Sequence, residues 1–360
     1  MRHSTDYWQL QIETITSLQV QQNHVEAVEL CTQLLKKLPT TSAKLVIQVR
    51  LQSHLIDSLK AQALYSQAQV QIKCAQATLS DVKAVYPTKI SLPLELKILS
   101  QQGTLAQIQG QYASSEQVFQ QAIQLAEAYG LCHQPVWLTL LNGLAIVYKY
   151  WGRFEAAETL YKTALADSIK QHGEHDIGVA TLYHNLAGLN HACGDYVEAE
   201  SYARKSYRLH VELLGSQHAQ TIADRAALGA ILHGLQQWDE AIDCFEAAIA
   251  FFERQFGQVH GEIAINLNNL AASLQAKGEL KQAEQAYRRA LAIKEQLLGK
   301  SHPNVAISLN NLASLLQQTG QLAEAKTLFI RALAIFDITV GLDHPHTQLC
   351  RENAAQYSSL

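Results

Sequence analysis

Proline is scarce in this chain, with 6 in 360 residues, and glycine is modest at 18. A β protein of this size uses more of both in its turns, so helices are expected. The six cysteines (Cys31, Cys74, Cys132, Cys193, Cys244, Cys350) stand far apart with no Cys-x-x-Cys pair. That excludes a disulfide frame and a cysteine zinc site, and fits small buried side chains in a reducing compartment. Neither charge sign dominates: 28 basic residues face 32 acidic ones, a net charge of −4 with no long basic run. A nucleic-acid partner is therefore not expected. No apolar stretch approaches roughly 18 residues, and no apolar segment follows Met1-Arg2-His3, so the sequence predicts neither a membrane span nor a leader, and a cytoplasmic location.

What the sequence has is repetition. A step of 42 residues links Gly110, Gly152, Gly194, Gln236, Gly278 and Gly320. The same step links Gly173, Gly215, Gly257, Gly299 and Gly341, and Ala157, Ala199, Ala241, Ala283 and Ala325. It also links Ala164, Ser206, Ala248, Ala290 and Ala332, and the mostly aromatic Phe119, Tyr161, Ala203, Phe245, Tyr287 and Phe329.

Within one period the apolar residues keep helical spacing. Ile263, Leu267, Leu270, Ala271 and Leu274 form one stripe, and Leu280, Ala283, Tyr287, Ala290, Leu291 and Ile293 a second. Gly278 and Gly299 end the two helices, and Pro303 opens the next, where its missing N–H is harmless. Each period thus reads as helix A, turn, helix B, turn. Small residues (Ala271, Ala283, Ala290) admit close backbone approach, and Leu270, Tyr287 and Leu291 fill the gaps around them. One such hairpin cannot bury its stripe alone, so stacking into a solenoid with capping ends is expected.

Weaker units precede the regular ones. Gly103, Gly110, Tyr112, Phe119 and Ala122 mark one; Ala63, Tyr65, Ala68 and Ala75, then Gln22, Ala27, Leu30 and Leu34, repeat the helix B spacing. From Ala63 to Gly110 the step is 47 residues, so a longer loop is expected around Tyr86–Pro93. Residues 343–358 read as a single polar capping helix.

The small–aromatic–small pattern resembles the tetratricopeptide repeat. The spacing, Leu-Asn-Asn-Leu-Ala at 267–271 and 309–313, Arg-Ala-Leu-Ala-Ile at 289–293 and 331–335, and Leu-Gly-x-x-His-Pro at 298–303 resemble its kinesin light chain subtype. The resemblance implies an all-α, right-handed α-solenoid of about eight hairpins plus a capping helix. It would be one domain over residues 1–360: divergent repeats at 1–92, regular repeats at 93–342 and the cap at 343–360.

No constellation of residues points to catalysis, metal or a cofactor. Gly299-Lys300-Ser301 imitates the end of a phosphate loop, but Lys294 stands where its first glycine belongs, and a helix precedes it where a strand should. His172 to Asp176 lacks the spacing of a helical metal site and falls in a turn. His175 (off by one), His218, His260, His302 and His344 precede each helix A, where a ring nitrogen can cap the helix start. Trp151 and Trp238 fall at hairpin turns.

The resemblance also implies a concave face lined by helix A that binds an extended peptide. Its first set is Asn142, His184, Ala226, Asn268 and Asn310, and its second, seven residues or nearly two turns along the same helix face, is Lys149, His191, His233, Gln275 and Gln317. An amide offers an acceptor and two donors, suited to the free N–H and C=O of a strand-like ligand. In the family the asparagines of the signature are implicated in cargo binding, a role carried to Asn268, Asn269, Asn310 and Asn311, and to Asn142 and Asn185. The alternative for Asn185, Asn269 and Asn311 is a hydrogen bond that holds the next hairpin in register. Ala226-Ala227 interrupts the ladder. His184, His191 and His233 would make peptide affinity pH-dependent if they converge. Lys149 alone is too little for a terminal-carboxylate clamp. The function expected is a non-catalytic adaptor for a protein or peptide partner, with no nucleic acid or membrane and with self-association possible. The alternative is a sensor whose superhelix changes pitch on binding a ligand or signalling peptide.

Overall fold

A computed structural model describes residues 5–21, 23–39, 41–62, 64–132, 134–339 and 345–355. Gln22, Ala63, Gly341 and His344 of the readings above lie outside the described residues, as do 343 and 356–358 of the expected cap. The chain divides into two compact units, Met1–Gln171 and His172–Leu360.

The first unit holds α1 (Thr5–Val20), α2 (His24–Lys37), a short 3-10 turn (Ser42–Lys44), α3 (Leu45–Ala61), α4 (Tyr65–Val85), α5 (Thr88–Ile108), α6 (Tyr112–Ala128), α7 (Pro135–Tyr150) and α8 (Phe154–His172). Helices α1 to α6 pack as successive antiparallel neighbours, and α3 also touches α1 and α5. Trp8, Ile15, Leu51, Ile56, Ile72 and Ile98 are sealed in its core. The helix B spacing read near the N-terminus lies on α2 and α4, where Ala27, Cys31 and Leu34, then Ala68, Ile72 and Ala75, face inward.

One expectation fails here. No long loop follows α4: only Tyr86 and Pro87 separate it from α5. The extra residues are absorbed as helix, since α4 and α5 each run 21 residues. Pro93 lies inside α5, in its second turn, where it deletes a single N–H bond near the helix start. Pro87, extended at φ −63° and ψ 153°, directs the chain into α5.

The second unit holds α9 (Ile177–Cys193), α10 (Tyr196–Leu214), α11 (Ala219–Gly234), α12 (Trp238–Phe256), α13 (Gly261–Lys277), α14 (Leu280–Leu298), α15 (Pro303–Gln318), α16 (Leu322–Thr339) and α17 (Pro345–Ala355). Odd and even helices pair as hairpins, and each hairpin packs on the next. The alanine and aromatic rulers form the seam: Ala241, Phe245, Ala248, Ala283, Ala290, Ala325, Phe329 and Ala332 are buried. Helix α17 packs on α15 and α16, burying Cys350 and Thr347, while Arg351 and Glu352 stay exposed.

The turn signals act as read. Gly152, Gly194, Gly278 and Gly320 all have φ between 77° and 91°. At the same ruler position Gln236 adopts φ 62°, a conformation that disfavours a side chain. His218, His260 and His302 cap α11, α13 and α15, each Nδ1 accepting from the backbone N–H two residues on. In α9 the cap moves to Asp176, which accepts from Gly178 and Val179. Trp151 closes α7 and stacks on Tyr112, with ring centroids 6.1 Å apart.

Candidate functional site

The sequence places the site on the odd-numbered helices. In the first unit Asn142 and Lys149 are half-buried on α7. The Lys149 ammonium lies 5.4 Å over the Tyr150 ring, and burial lowers its pKa.

In the second unit His184 and His191 lie on α9 and His233 on α11, all half-buried. His191 meets Tyr196 edge-on at 5.5 Å. His233 Nδ1 lies 3.0 Å from Ser273 Oγ, and burial holds its pKa below the ordinary imidazole value. His184 Nδ1 lies 2.7 Å from Asp224 Oδ1. The three histidines therefore face three different settings.

On α13 and α15 the two asparagines of each signature divide their work. Asn268 is half-buried, and its Oδ1 accepts from Ser308 Oγ on α15 at 3.3 Å. Asn310 is buried, and its Oδ1 accepts from Asn353 Nδ2 on α17 at 3.2 Å. The bond to the next hairpin is thus made by the first asparagine. Asn269 and Asn311 are half-buried as well, and their side-chain amides have no hydrogen-bond partner among the described residues. Gln275 spans hairpins too, donating to Gln318 at 2.8 Å and accepting from Tyr287 OH at 3.4 Å. Gln317 and Asn185 are half-buried and engaged in the fold.

Two buried polar clusters escaped the reading of the sequence. Asp224, on α11, is 3% exposed. It accepts from His184, from His210 Nδ1 at 2.6 Å and from Ser206 Oγ at 2.5 Å. Burial opposes the charge of its carboxyl, but these hydrogen bonds outweigh it and hold the pKa below the usual carboxylate value. Lys294, on α14, is 9% exposed, and its Nζ donates to Ser308 Oγ at 2.8 Å. Burial pushes its pKa down to about 8.

The ruler carried a signal for both. His210, Phe252, Lys294 and Phe336 are one register, so two polar residues alternate with two rings in a buried column. Asp224, Asn266, Ser308 and Cys350 form the register opposite. In the first unit a cavity of about 440 Å³ opens between α1, α3 and α5, with Gln9, Gln19, Arg50, His54, Asp57 and Lys97 among its lining. No group of three or more His, Cys, Asp or Glu able to hold a metal occurs among the described residues.

The tetratricopeptide repeat family matches residues 94–168, 178–254 and 262–356, well over half of the chain. The chain belongs to the tetratricopeptide repeat family. A solved putative kinesin light chain from Podosopora anserina, with nearly identical TPR-like repeats, is 25% identical; 56% of this chain and 96% of that one align, with a TM-score of 0.47. A Rap protein solved in complex with Competence and Sporulation Factor shares the fold over 93% of this chain and 99% of its own, with a TM-score of 0.55 at 14% identity. The clustered mitochondria protein homolog of Aspergillus fumigatus is 26% identical over 157 residues, 43% of this chain. This chain covers 12% of that relative's length. The fold is an all-α helical repeat solenoid, the architecture of a protein–protein interaction scaffold. Among the described residues no helix is long and apolar enough to cross a membrane.

Proposed function

We propose that the protein is a non-catalytic adaptor that holds an extended peptide segment of a partner on its odd-numbered helices. The observation that carries this reading is the pair Asn269 and Asn311. They occupy equivalent positions 42 residues apart, half-buried, with amides that bond no other side chain or backbone group among the described residues. A partly exposed amide that the fold leaves unengaged keeps its donors and acceptor for a ligand, and an extended backbone supplies matching N–H and C=O groups at a regular pitch. Asn268 adds a free Nδ2, because Ser308 engages only its oxygen. Asn310, by contrast, is spent on the stack, which makes it a support for the surface and not its reading edge. None of the six cysteines forms a disulfide, which supports work in a reducing compartment such as the cytoplasm.

The test is the variant Asn269→Ala/Asn311→Ala. Neither side chain is hydrogen-bonded among the described residues, so the variant's stability should stay within about 0.5 kcal/mol of the wild type, as for surface changes. Partners captured from lysate by the full chain should be lost from the variant. An unchanged set of partners at unchanged stability would overturn the reading.

A further inference from the structure

The two buried clusters of the second unit are built on one template. Each has a half-buried residue on an odd helix (His184, Asn268), bonded to a residue 40 positions later (Asp224, Ser308). That residue is bonded in turn to one 26 positions after the first, on the even helix between (His210, Lys294). The two copies lie 84 residues apart, on α9 and α13, with α11 between them.

They carry opposite charge. In the first, a carboxylate is ringed by two imidazoles and a hydroxyl, with no lysine or arginine in the set. In the second, an ammonium has a serine hydroxyl as partner and, among the described residues, no carboxylate within ion-pair distance. Asp224 faces imidazoles and a hydroxyl, Lys294 a hydroxyl, and a low-dielectric surrounding carries the field of each buried group toward the nearest polar surface. Lys277 is 2.8 Å from both Asp239 and Glu279, and Arg225 points to the Asp243 carbonyl on α12 at 3.5 Å.

The hydrogen bonds also fix what each cluster presents. Asp224 accepts at His184 Nδ1, so the imidazole is held by that nitrogen and Nε2 is the ring nitrogen left for other contacts. The His184 side chain is 38% exposed and is the part of the cluster that reaches solvent. The first cluster thus offers an imidazole edge backed by a buried carboxylate. Lys294 donates to Ser308, whose own proton goes to Asn268 Oδ1, so Asn268 Nδ2 is not engaged by this cluster. The second offers a donor backed by positive charge. Between them stands Ala226, a small apolar side chain.

We infer that this face is electrically polar along its length and takes an extended peptide with a basic side chain at His184–Asp224, an apolar one over Ala226 and an acidic one at Asn268–Lys294. Neighbouring helices pack at about 8–10 Å, so two steps span about 16–20 Å, or about five to six residues of extended chain. The inference rests on the peptide-binding reading above.

Random linear peptides displayed on phage and selected against the full chain test it. Expected is enrichment of a basic and an acidic residue about five or six apart. Asp224→Asn should weaken an enriched peptide about tenfold and remove the preference for its basic residue alone. Lys294→Met should do the same for the acidic residue alone. Circular dichroism of both variants checks that they fold, and swapping the peptide's lysine or glutamate for glutamine repeats each test on the ligand side. Enriched peptides without the two charges, or with charges indifferent to both variants and both swaps, would overturn the inference while leaving peptide binding intact. If no peptide is enriched, the peptide-binding reading falls and this inference with it.

Discussion

Lys294 stands where neighbouring repeats put phenylalanine, and the protein pays for its burial in proton affinity. With an ordinary value near 10.5 and a folded value of about 8, the unfolded chain holds the proton more tightly between those limits. Stability therefore rises with pH across that window and is lowest below it. Lys294→Met should stabilise the protein at neutral pH by about 2 kcal/mol and flatten the rise above pH 8, read from urea midpoints. His302 works in the acid range. Its Nδ1 must be free of a proton to cap α15, and burial, aided by the charge of Lys294, holds its pKa down to about 4. Stability is complete above the unfolded value of 6.5 and is lost as pH falls toward 4, by on the order of 3 kcal/mol. His302→Asn keeps a capping side chain and should remove most of that loss in urea melts taken at about pH 7 and pH 4.5. The caps were legible before the structure because histidine recurs at a fixed register. The buried pairs were not, because hydropathy reads a lone histidine or lysine on a helix as a solvated residue.

At the scale of the element, glycine marks contact as well as turns. The ring of Phe119 lies between α5 and α7. A Cβ at Gly143 would stand 2.4 Å from it and one at Gly103 2.7 Å. Gly143→Ala should thus lower stability by about 1–3 kcal/mol despite its better helix propensity, measured by chemical denaturation. Helix identity and most boundaries followed from periodicity and turn glycines over residues 135–340. Around Tyr86–Pro93 the same logic failed. Two prolines there look like a loop, yet a proline in a helix's first turns deletes little, and the surplus residues lengthen α4 and α5. The asparagine pairs show a second limit. Spacing places both on α13 and α15, but which of two adjacent amides reaches the next hairpin depends on side-chain direction that a linear pattern does not record.

At the scale of the molecule, the second unit ends in α17, a helix with a polar outer side. It covers the seam between α15 and α16 and supplies Asn353 to Asn310. Deleting residues 345–360 should uncover that seam, lower stability by about 1–3 kcal/mol and shift Tm by several degrees, with dye binding to the exposed apolar surface as a second readout.

Chains assembled from look-alike hairpins run a risk that irregular proteins avoid: during folding, a segment can settle against the wrong neighbour. The alternation of His210, Phe252, Lys294 and Phe336 against Asp224, Asn266, Ser308 and Cys350 makes such errors expensive. A slip by one hairpin would press the Asp224 carboxylate onto the Phe252 ring, or leave the Lys294 ammonium beside the Cys350 thiol. Like the cuts of a key, the buried polar residues admit each hairpin to one slot.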